Sequence, residues 1–447
     1  MSALIMSMSG MRGVVGDTLD PHLSMNMALA FGQYVGKGPV IVGGDTRVSY
    51  HIVQKAVISG LLAAGTDVID VGHVLTPTVQ QMIRHFDAKG GLVISASHNP
   101  IQWNGIKVMN ESGSFLTPEE YDNYMAIYNK NEPALADWKS VGTYTTFDDA
   151  LEIHVDRILS AIDTTSIKEA NLNVLVDPNN GAGALGNPIL FEKLGVNCTV
   201  LNGEPNGLFK HDPEPLKENL SEIMAELKTG QYDIGFVQDA DADRLVILDE
   251  NGVFIGEDYS LAYCVDYVLS QKETNTPHVV VNLSTSRVVE DVAKKYGAPT
   301  TYTKIGETNV TQGLKEKNAV VGGEGNGGVI YPKVGWGRDS LVGMVIALKH
   351  LAESGKKVSE TVATYPKYTM IRDKYTVKSR DEVLPFLDKI KAHYANETID
   401  TQDGVKVMFE DSWLHVRPSN TEPIVRLFVE APNAEKGQAL LDTAKAL

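Results

Sequence analysis

Apolar runs and amphipathic stretches follow one another along most of the chain in a repeated order. "GPVIVGGDTRVS" leads into "AVISGLLAAGTDVIDVG". "LNVLVDPNNGAGALGNPILFEKLGVNCTVLNG" repeats those features, and so does "PHVVVNLSTSRVVEDVAKKYGAPTTYTKIG". Each stretch is a β-branched run, a polar turn, a segment of helical period, a glycine and a second short β-rich run. That pattern predicts a β-α-β unit three times over. The strand runs are almost continuously apolar, as strands covered on both faces must be. The pattern then changes. "VKVMFEDSWLHVRPSN" and "PIVRLFVEA" alternate apolar and polar positions around turn residues, and "AEKGQALLDTAKAL" closes the chain with a helix. This tail predicts a small antiparallel sheet with helices on one face. The expected fold is α/β: three serial α/β domains of related topology plus a smaller C-terminal α+β domain. The breaks are placed near Thr145, Asn251 and Tyr368, giving segments 1–145, 146–251, 252–368 and 369–447.

Composition narrows the class. A chain of 447 residues is too long for one core. The net charge of -17 argues against nucleic acid or an anionic membrane as the partner, though a locally positive cleft could still take an anionic substrate. Cys198 and Cys264 lack metal-type spacing and fit small core residues in a reducing cytoplasm. "MSALIMSMSG" has no basic region and too short an apolar run for a signal peptide. No stretch approaches the roughly 20 apolar residues of a membrane span. The expected protein is cytoplasmic, without a membrane or nucleic-acid partner, and a monomer or a homodimer.

Four polar turns carry candidate chemistry. In "GLVISASHNP" a buried-looking strand ends on Ser97, His98, Asn99 and Pro100. Polar residues at the carboxyl end of such a strand face the crevice where α/β proteins bind ligands. An ordinary turn accounts for the same residues. A hydrolase pair of Ser97 and His98 would need adjacent side chains to converge, without a G-x-S-x-G elbow. A serine that carries a phosphoryl group is the third reading. In "VQDADADRLVILDENG", Asp239, Asp241 and Asp243 lie two apart, so in extended chain they project to one side. Three such carboxylates repel one another unless a cation neutralises them, and all-oxygen ligands suit Mg2+ or Ca2+. The spacing nearly spells an EF-hand, with Glu250 at its twelfth position, but Arg244 stands where that loop requires Gly. Strand-like "YDIGFV" and "RLVIL" flank it, so a metal loop between strands, with Mg2+ preferred, fits better. "GEGNGG" offers Glu324 and Asn326, suited to sugar hydroxyls, among glycines that allow close backbone approach to a ligand. A glycine-rich hairpin is the plainer reading. "VRPSNTEP" presents Arg417, Ser419, Asn420 and Thr421 as a phosphate cradle or a surface turn. Arg12 in "GMRGVVGD" and Lys107 in "WNGIKV" are solvated charges if taken alone.

A hydroxyl, a divalent-metal loop, a hydroxyl reader and a phosphate binder complement one another if all meet in one central cleft. Their order resembles the alpha-D-phosphohexomutase family over nearly the whole chain, closest to its phosphoglucosamine mutase-like branch. The resemblance implies that Ser97 is the phosphorylated serine and that Asp239, Asp241 and Asp243 hold Mg2+ together with a phosphoserine oxygen. It implies that Arg12, Lys107 and Arg244 are the basic residues beside them. Glu324 then reads the sugar's O3 and O4, with Asn326 where Ser is usual. Arg417, Ser419, Asn420 and Thr421 hold the distal phosphate. Gly328 and Glu307 stand where some members have His, which leaves Lys107 as the expected general base. The implied reaction interconverts hexose 6-phosphate and hexose 1-phosphate through a phosphoserine and a hexose 1,6-bisphosphate, most simply as a phosphoglucosamine mutase. A phosphomannomutase/phosphoglucomutase of mixed specificity, a metal-dependent sugar phosphatase and a non-catalytic sugar-phosphate sensor are the alternatives.

Overall fold

The computed structural model describes residues 4–130, 132, 134–376, 380–418 and 424–447. The three repeated stretches form three β-α-β units. Pro39–Gly44, the helix Tyr50–Ala63 and Asp67–His73 make the first. Asn173–Asp177, Gly183–Leu194 and Asn197–Val200 make the second. Val279–Asn282, Arg287–Lys295 and Thr300–Thr303 make the third. In each, the two strands pair in parallel, because the helix returns the chain to the same end of the sheet.

A further parallel strand joins the other side of the first strand in every unit: Gly90–Ile94, Ile234–Gln238 and Val321–Glu324. Each is followed by an antiparallel neighbour: Trp103–Asn110, Leu245–Leu248 and Gly328–Ile330. The three sheets therefore share one strand order. The first is extended by Ile5–Ser7 and Gly10–Val14 at one edge and by Tyr144–Thr146 at the other. Each added strand ends at the crevice where the strand order reverses, which is the place an open α/β sheet offers to ligands.

The apolar runs are buried as their composition requires. Val40, Ile41 and Val42 are fully enclosed, as are Val279, Val280 and Val281. One continuous apolar cluster serves both the second and third domains. The helix Ser340–Ser354 runs through it and buries every residue from Ser340 to Leu351. A helix apolar on all sides belongs in such an interior. His154 ties three domains where this core meets the first. Its ring bonds the Thr78 hydroxyl at 2.9 Å and the Asp339 carboxylate at 2.8 Å. Cys264 is buried, whereas Cys198 is only half-buried on the edge strand Asn197–Val200 and is not the core residue expected from sequence.

The tail forms a five-stranded antiparallel sheet. Its alternating residues Val405, Val407, Leu414, Val416, Val425, Leu427 and Val429 point inward, against the helices Val383–His393 and Ala434–Ala446. This domain docks on the third through polar contacts. Lys406 Nζ donates to the Leu283 carbonyl at 2.7 Å, and Arg287 N donates to Glu430 Oε1 at 3.0 Å. Arg372 pairs with Glu257 at 3.1 Å, beside the buried Asp258, whose Oδ1 accepts from Ser286 N at 2.8 Å.

Burial lifts the Asp258 carboxyl from the ordinary 3.8 to about 7, with Arg372 opposing. The folded state thus holds its proton more tightly than the unfolded chain. The associated stability is present below pH ~4 and is lost as pH rises to ~7. Asp258→Asn keeps an acceptor for Ser286 N and removes the buried charge. It should gain about 1–4 kcal/mol over the parent at pH 8 and almost nothing at pH 4. Urea unfolding at the two pH values checks this, and equal stability of the two proteins at pH 8 would refute it.

No described helix is long and apolar enough to cross a membrane.

Candidate active site

The site is built where the three equivalent strands end. Ser97 follows Gly90–Ile94, the acidic triad follows Ile234–Gln238, and Glu324 ends Val321–Glu324. Ser97 is 1 % exposed and sits in the left-handed region at φ 49°. Its Oγ donates to Asp239 Oδ2 at 2.8 Å, joining residues 142 positions apart. The hydroxyl and the carboxylate triad therefore share one cleft.

The triad is not extended. A turn closed by Ala242 N on the Asp239 carbonyl at 3.1 Å, with Ala242 left-handed at φ 57°, gathers the carboxylates. This corrects the expectation that an extended chain projects the three carboxylates to one side. One oxygen from each of Asp239, Asp241 and Asp243 lies within 4.8 Å of the others. All three residues are buried, and Asp241 Oδ1 and Asp243 Oδ1 have no hydrogen-bond partner. Buried carboxylate oxygens without partners are costly in a protein interior. A hard divalent cation with oxygen preference, such as Mg2+, fits this donor set.

The remaining carboxylate oxygens face cations. Lys107 Nζ contacts Asp241 Oδ2 and reaches Asp243 Oδ2 at 3.0 Å and Thr76 Oγ1 at 3.3 Å. Thr76 Oγ1 also donates to Asp241 Oδ2. Burial alone would depress the Lys107 ammonium, but Asp241 and Asp243 outweigh it and raise its pKa. A general base needs the opposite shift. In this arrangement Lys107 stands as a positive charge against the two carboxylates. Burial also works against ionisation of Asp243, yet Arg338, Lys107 and Arg244 together hold its carboxyl far below the usual range. Asp239 goes the other way, raised by burial and by its two acidic neighbours.

Arg244 and Arg12 complete the basic wall. Arg244 N donates to Asp239 Oδ1 at 3.1 Å, and its guanidinium donates to His98 Nδ1 at 2.9 Å. The Arg244 charge, then burial, keep the His98 ring neutral well below its usual pKa. Since Nδ1 accepts from Arg244, it is committed and does not serve Ser97, 3.4 Å away, as a hydrolase base. Arg12 is half-buried and donates to Asn99 Oδ1 at 3.1 Å.

Arg338 is the residue that the motifs did not reveal. It donates to Asp243 Oδ2 at 2.8 Å and to Glu307 Oε2 at 2.8 Å, and pairs with Glu324 Oε2 at 3.1 Å. It thereby links the metal loop to the sugar-type loop. Its signal was available: a lone arginine in "GWGRDS", just before the Asp339 cap of a largely apolar helix. The glycines of "GEGNGG" serve this packing. A Cβ at Gly328 would lie 2.1 Å from Arg338 Cδ, and one at Gly327 would meet the Leu245 carbonyl at 2.4 Å. Close approach to the protein itself, rather than to a ligand, requires them. Glu324 Oε1 accepts from Asn282 Nδ2 at 2.8 Å and Gly306 N at 3.1 Å. Asn326 accepts from Gly328 N at 3.3 Å.

Arg417 enters from the C-terminal domain. It pairs with Asp403 at 3.4 Å, and the other Asp403 oxygen accepts from Ile305 N at 3.1 Å. Glu324 is close enough to act on the Arg417 charge. Contacts run from Ser97 through the triad and Arg338 to Glu324, and the main chain of Gly306 and Ile305 together with Asp403 carries the line on to Arg417. Ser419, Asn420 and Thr421 lie outside the described residues.

Comparisons with known proteins cover the chain. Family models for phosphoglucomutase/phosphomannomutase match in all four parts: α/β/α domain I at residues 4–134, domain II at 152–252, domain III at 256–368 and the C-terminal domain at 374–446. A phosphoglucomutase/phosphomannomutase of Thermococcus kodakarensis is 38 % identical over 97 % of this chain and 96 % of its own length. A probable phosphoglucosamine mutase of Methanopyrus kandleri is 36 % identical over 97 % and 95 %. The crystal structure of a phosphoglucomutase/phosphomannomutase family protein from Burkholderia thailandensis superposes with a TM-score of 0.84. It is 27 % identical and covers 98 % of this chain and 96 % of that one.

Proposed function

The chain belongs to the phosphoglucomutase/phosphomannomutase family of alpha-D-phosphohexomutases, and from that premise we propose a phosphoserine mechanism with glucosamine phosphate as substrate. The protein interconverts the sugar's 1-phosphate and 6-phosphate through a 1,6-bisphosphate. The observation that supports this most directly is the 2.8 Å hydrogen bond from Ser97 Oγ to Asp239 across two domains. The choice of sugar is supported by the relative from Methanopyrus kandleri.

In the first half-reaction the bond from Ser97 Oγ to phosphorus breaks as a free sugar hydroxyl oxygen bonds that phosphorus. The bisphosphate then turns over in the cleft and returns its other phosphoryl group to Ser97. Asp239, Asp241 and Asp243 would hold Mg2+, which would neutralise charge on the transferring group. Arg12, Lys107 and Arg244 add fixed positive charge around it, and electrostatics and positioning dominate this chemistry. The hydroxyl proton needs an acceptor tuned near neutrality. Glu307 is assigned to this role, since Arg338 ties it to the metal loop through Asp243 and burial lifts its carboxyl to about 7. Glu324 accepts sugar hydroxyls in both orientations, since O3 and O4 nearly exchange when the sugar flips. Arg417 holds the phosphate that is not reacting.

The test is a parallel assay of glucosamine, glucose and mannose 1-phosphates with Mg2+ and a trace of the matching bisphosphate. Glucosamine phosphate should show the highest kcat/KM. A higher value for glucose or mannose would overturn the choice of sugar, and release of free phosphate without isomerised product would overturn the mutase reading. Arg417→Ala should raise KM at least about tenfold, the value of one charged hydrogen bond to phosphate. Its melting temperature should stay within a few degrees of the parent. A collapse in melting temperature would make Arg417 structural instead.

A further inference from the structure

Arg47, in the "GGDTRVS" turn after the first strand, is buried at 1 % exposure and meets the site through main-chain carbonyls of the Ser97 loop. It uses all five of its donors. Nε donates to Asp45 Oδ2 at 3.2 Å. One terminal nitrogen donates to the carbonyls of Pro100 and Trp103, each at 2.9 Å. The other donates to the carbonyls of Ser97 and Asn99, each at 2.6 Å. The Ser97 loop thus wraps four main-chain carbonyls around one guanidinium. Asp45 also accepts from Ser95 Oγ at 2.6 Å, and that hydroxyl accepts from Ser97 N at 2.8 Å. Ser97 is therefore gripped from behind at both its N-H and its carbonyl. This grip maintains a left-handed conformation that a non-glycine residue adopts only at a cost.

On its far side the guanidinium lies 5.0 Å from the centre of the Phe209 ring. Phe209 belongs to the second domain, where Asn180 Nδ2 donates to the neighbouring Leu208 carbonyl at 2.8 Å and the Asn180 carbonyl accepts from Thr46 Oγ1 of the turn at 2.9 Å. The domain that supplies the acidic triad therefore also presses on the residue that sets the serine.

We propose that Arg47 is a positioning residue for phosphoryl transfer, holding the Ser97 main chain so that Oγ faces the acidic triad. This rests on the reading of Ser97 as the phosphoryl carrier. Arg47 acts on the transfer step and leaves sugar binding alone, because it meets the Ser97 loop through that loop's main chain and touches none of the residues assigned to the sugar. A lysine keeps the charge but has no planar fork and cannot reach four carbonyls and Asp45 at once.

The experiment compares the full-length parent with Arg47→Lys and Arg47→Met. Melting temperature, kcat and KM are read with glucosamine, glucose and mannose 1-phosphates, Mg2+ and the matching 1,6-bisphosphate. Hydrogen exchange is read over residues 95–103. Arg47→Met should lose about 100-fold in kcat, as expected for a nucleophile displaced by about 1 Å, with KM within about threefold. Arg47→Lys should fall between Arg47→Met and the parent while keeping the parent's melting temperature. Exchange should accelerate at 95–103 and not elsewhere. The proposal is overturned if kcat holds in a folded variant, if kcat and KM worsen in step, or if exchange at 95–103 stays at the parent rate. Unfolding of both variants would make Arg47 purely structural and overturn it too. Absence of turnover in the parent counts against the mutase reading instead, and the exchange arm still decides whether the loop depends on Arg47.

Discussion

Ser97→Ala should give a folded protein with mutase turnover at least about 10⁴-fold below the parent. That is the scale expected when a covalent carrier is removed and only binding and electrostatics remain. Stability should change little. The substitution deletes one hydrogen bond, from Ser97 Oγ to Asp239, worth roughly 1 kcal/mol. The main-chain grip on residue 97, through its N-H and carbonyl, survives the change. Intact mass provides the second readout. The parent incubated with sugar 1,6-bisphosphate and Mg2+ should carry one phosphoryl group, and the variant none. Near-parental activity in Ser97→Ala would end the covalent mechanism whatever the sugar.

Asp243→Asn should damage both folding and activity, because this carboxylate serves two needs. Its Oδ2 receives Lys107 at 3.0 Å and Arg338 at 2.8 Å, while its Oδ1 has no partner. Removing the negative charge leaves two buried cations under-compensated. Breaking such pairs costs about 3–5 kcal/mol, and the partners left to both cations bring the expected loss to about 2–4 kcal/mol. Urea unfolding measures it. The cation site loses a ligand at the same time. Mg2+ should raise the melting temperature of the parent, since a ligand that binds only the native state stabilises it by mass action. The variant should lose most of that rise, together with at least about 10³-fold of its activity. A variant as stable as the parent with an intact Mg2+ response would refute the assignment of Asp243 to the metal loop.

The two substitutions separate two kinds of residue in the cleft. On the proposed mechanism Ser97 carries chemistry and contributes little to the fold. Asp243 is chemical and structural at once, because a buried charge cluster must balance before it can act. The same distinction explains why the site was only partly legible in the chain. Ser97, the acidic triad, Glu324 and Arg417 sit in short polar turns that interrupt apolar runs, and such interruptions stand out in one dimension. Arg338 and Arg47 also sit in turns, but a lone arginine has no spacing pattern. Only the carboxylates and carbonyls around it show what it does. The charge on Lys107 was hidden for a related reason. Its charge state follows from Asp241 and Asp243, more than 130 residues away. The glycines of "GEGNGG" were similarly ambiguous. Small residues permit close approach, and the approaching partner turned out to be Arg338 and the Leu245 main chain.

Local order is what the chain alone carries. Three β-α-β units in series, an alternating antiparallel tail and the chemical character of each polar turn follow from side-chain periodicity and turn chemistry, which act over neighbouring residues. The folded molecule adds everything that depends on distance across domains. It brings Ser97 to Asp239, bends the triad through the left-handed Ala242, sets Lys107 against Asp241 and Asp243 and makes Arg338 the bridge between two loops. Electrostatic and hydrogen-bond energies fall off over a few ångströms of space, whatever the separation along the chain. The ionisation and alignment of these groups therefore have no value until packing has chosen their neighbours.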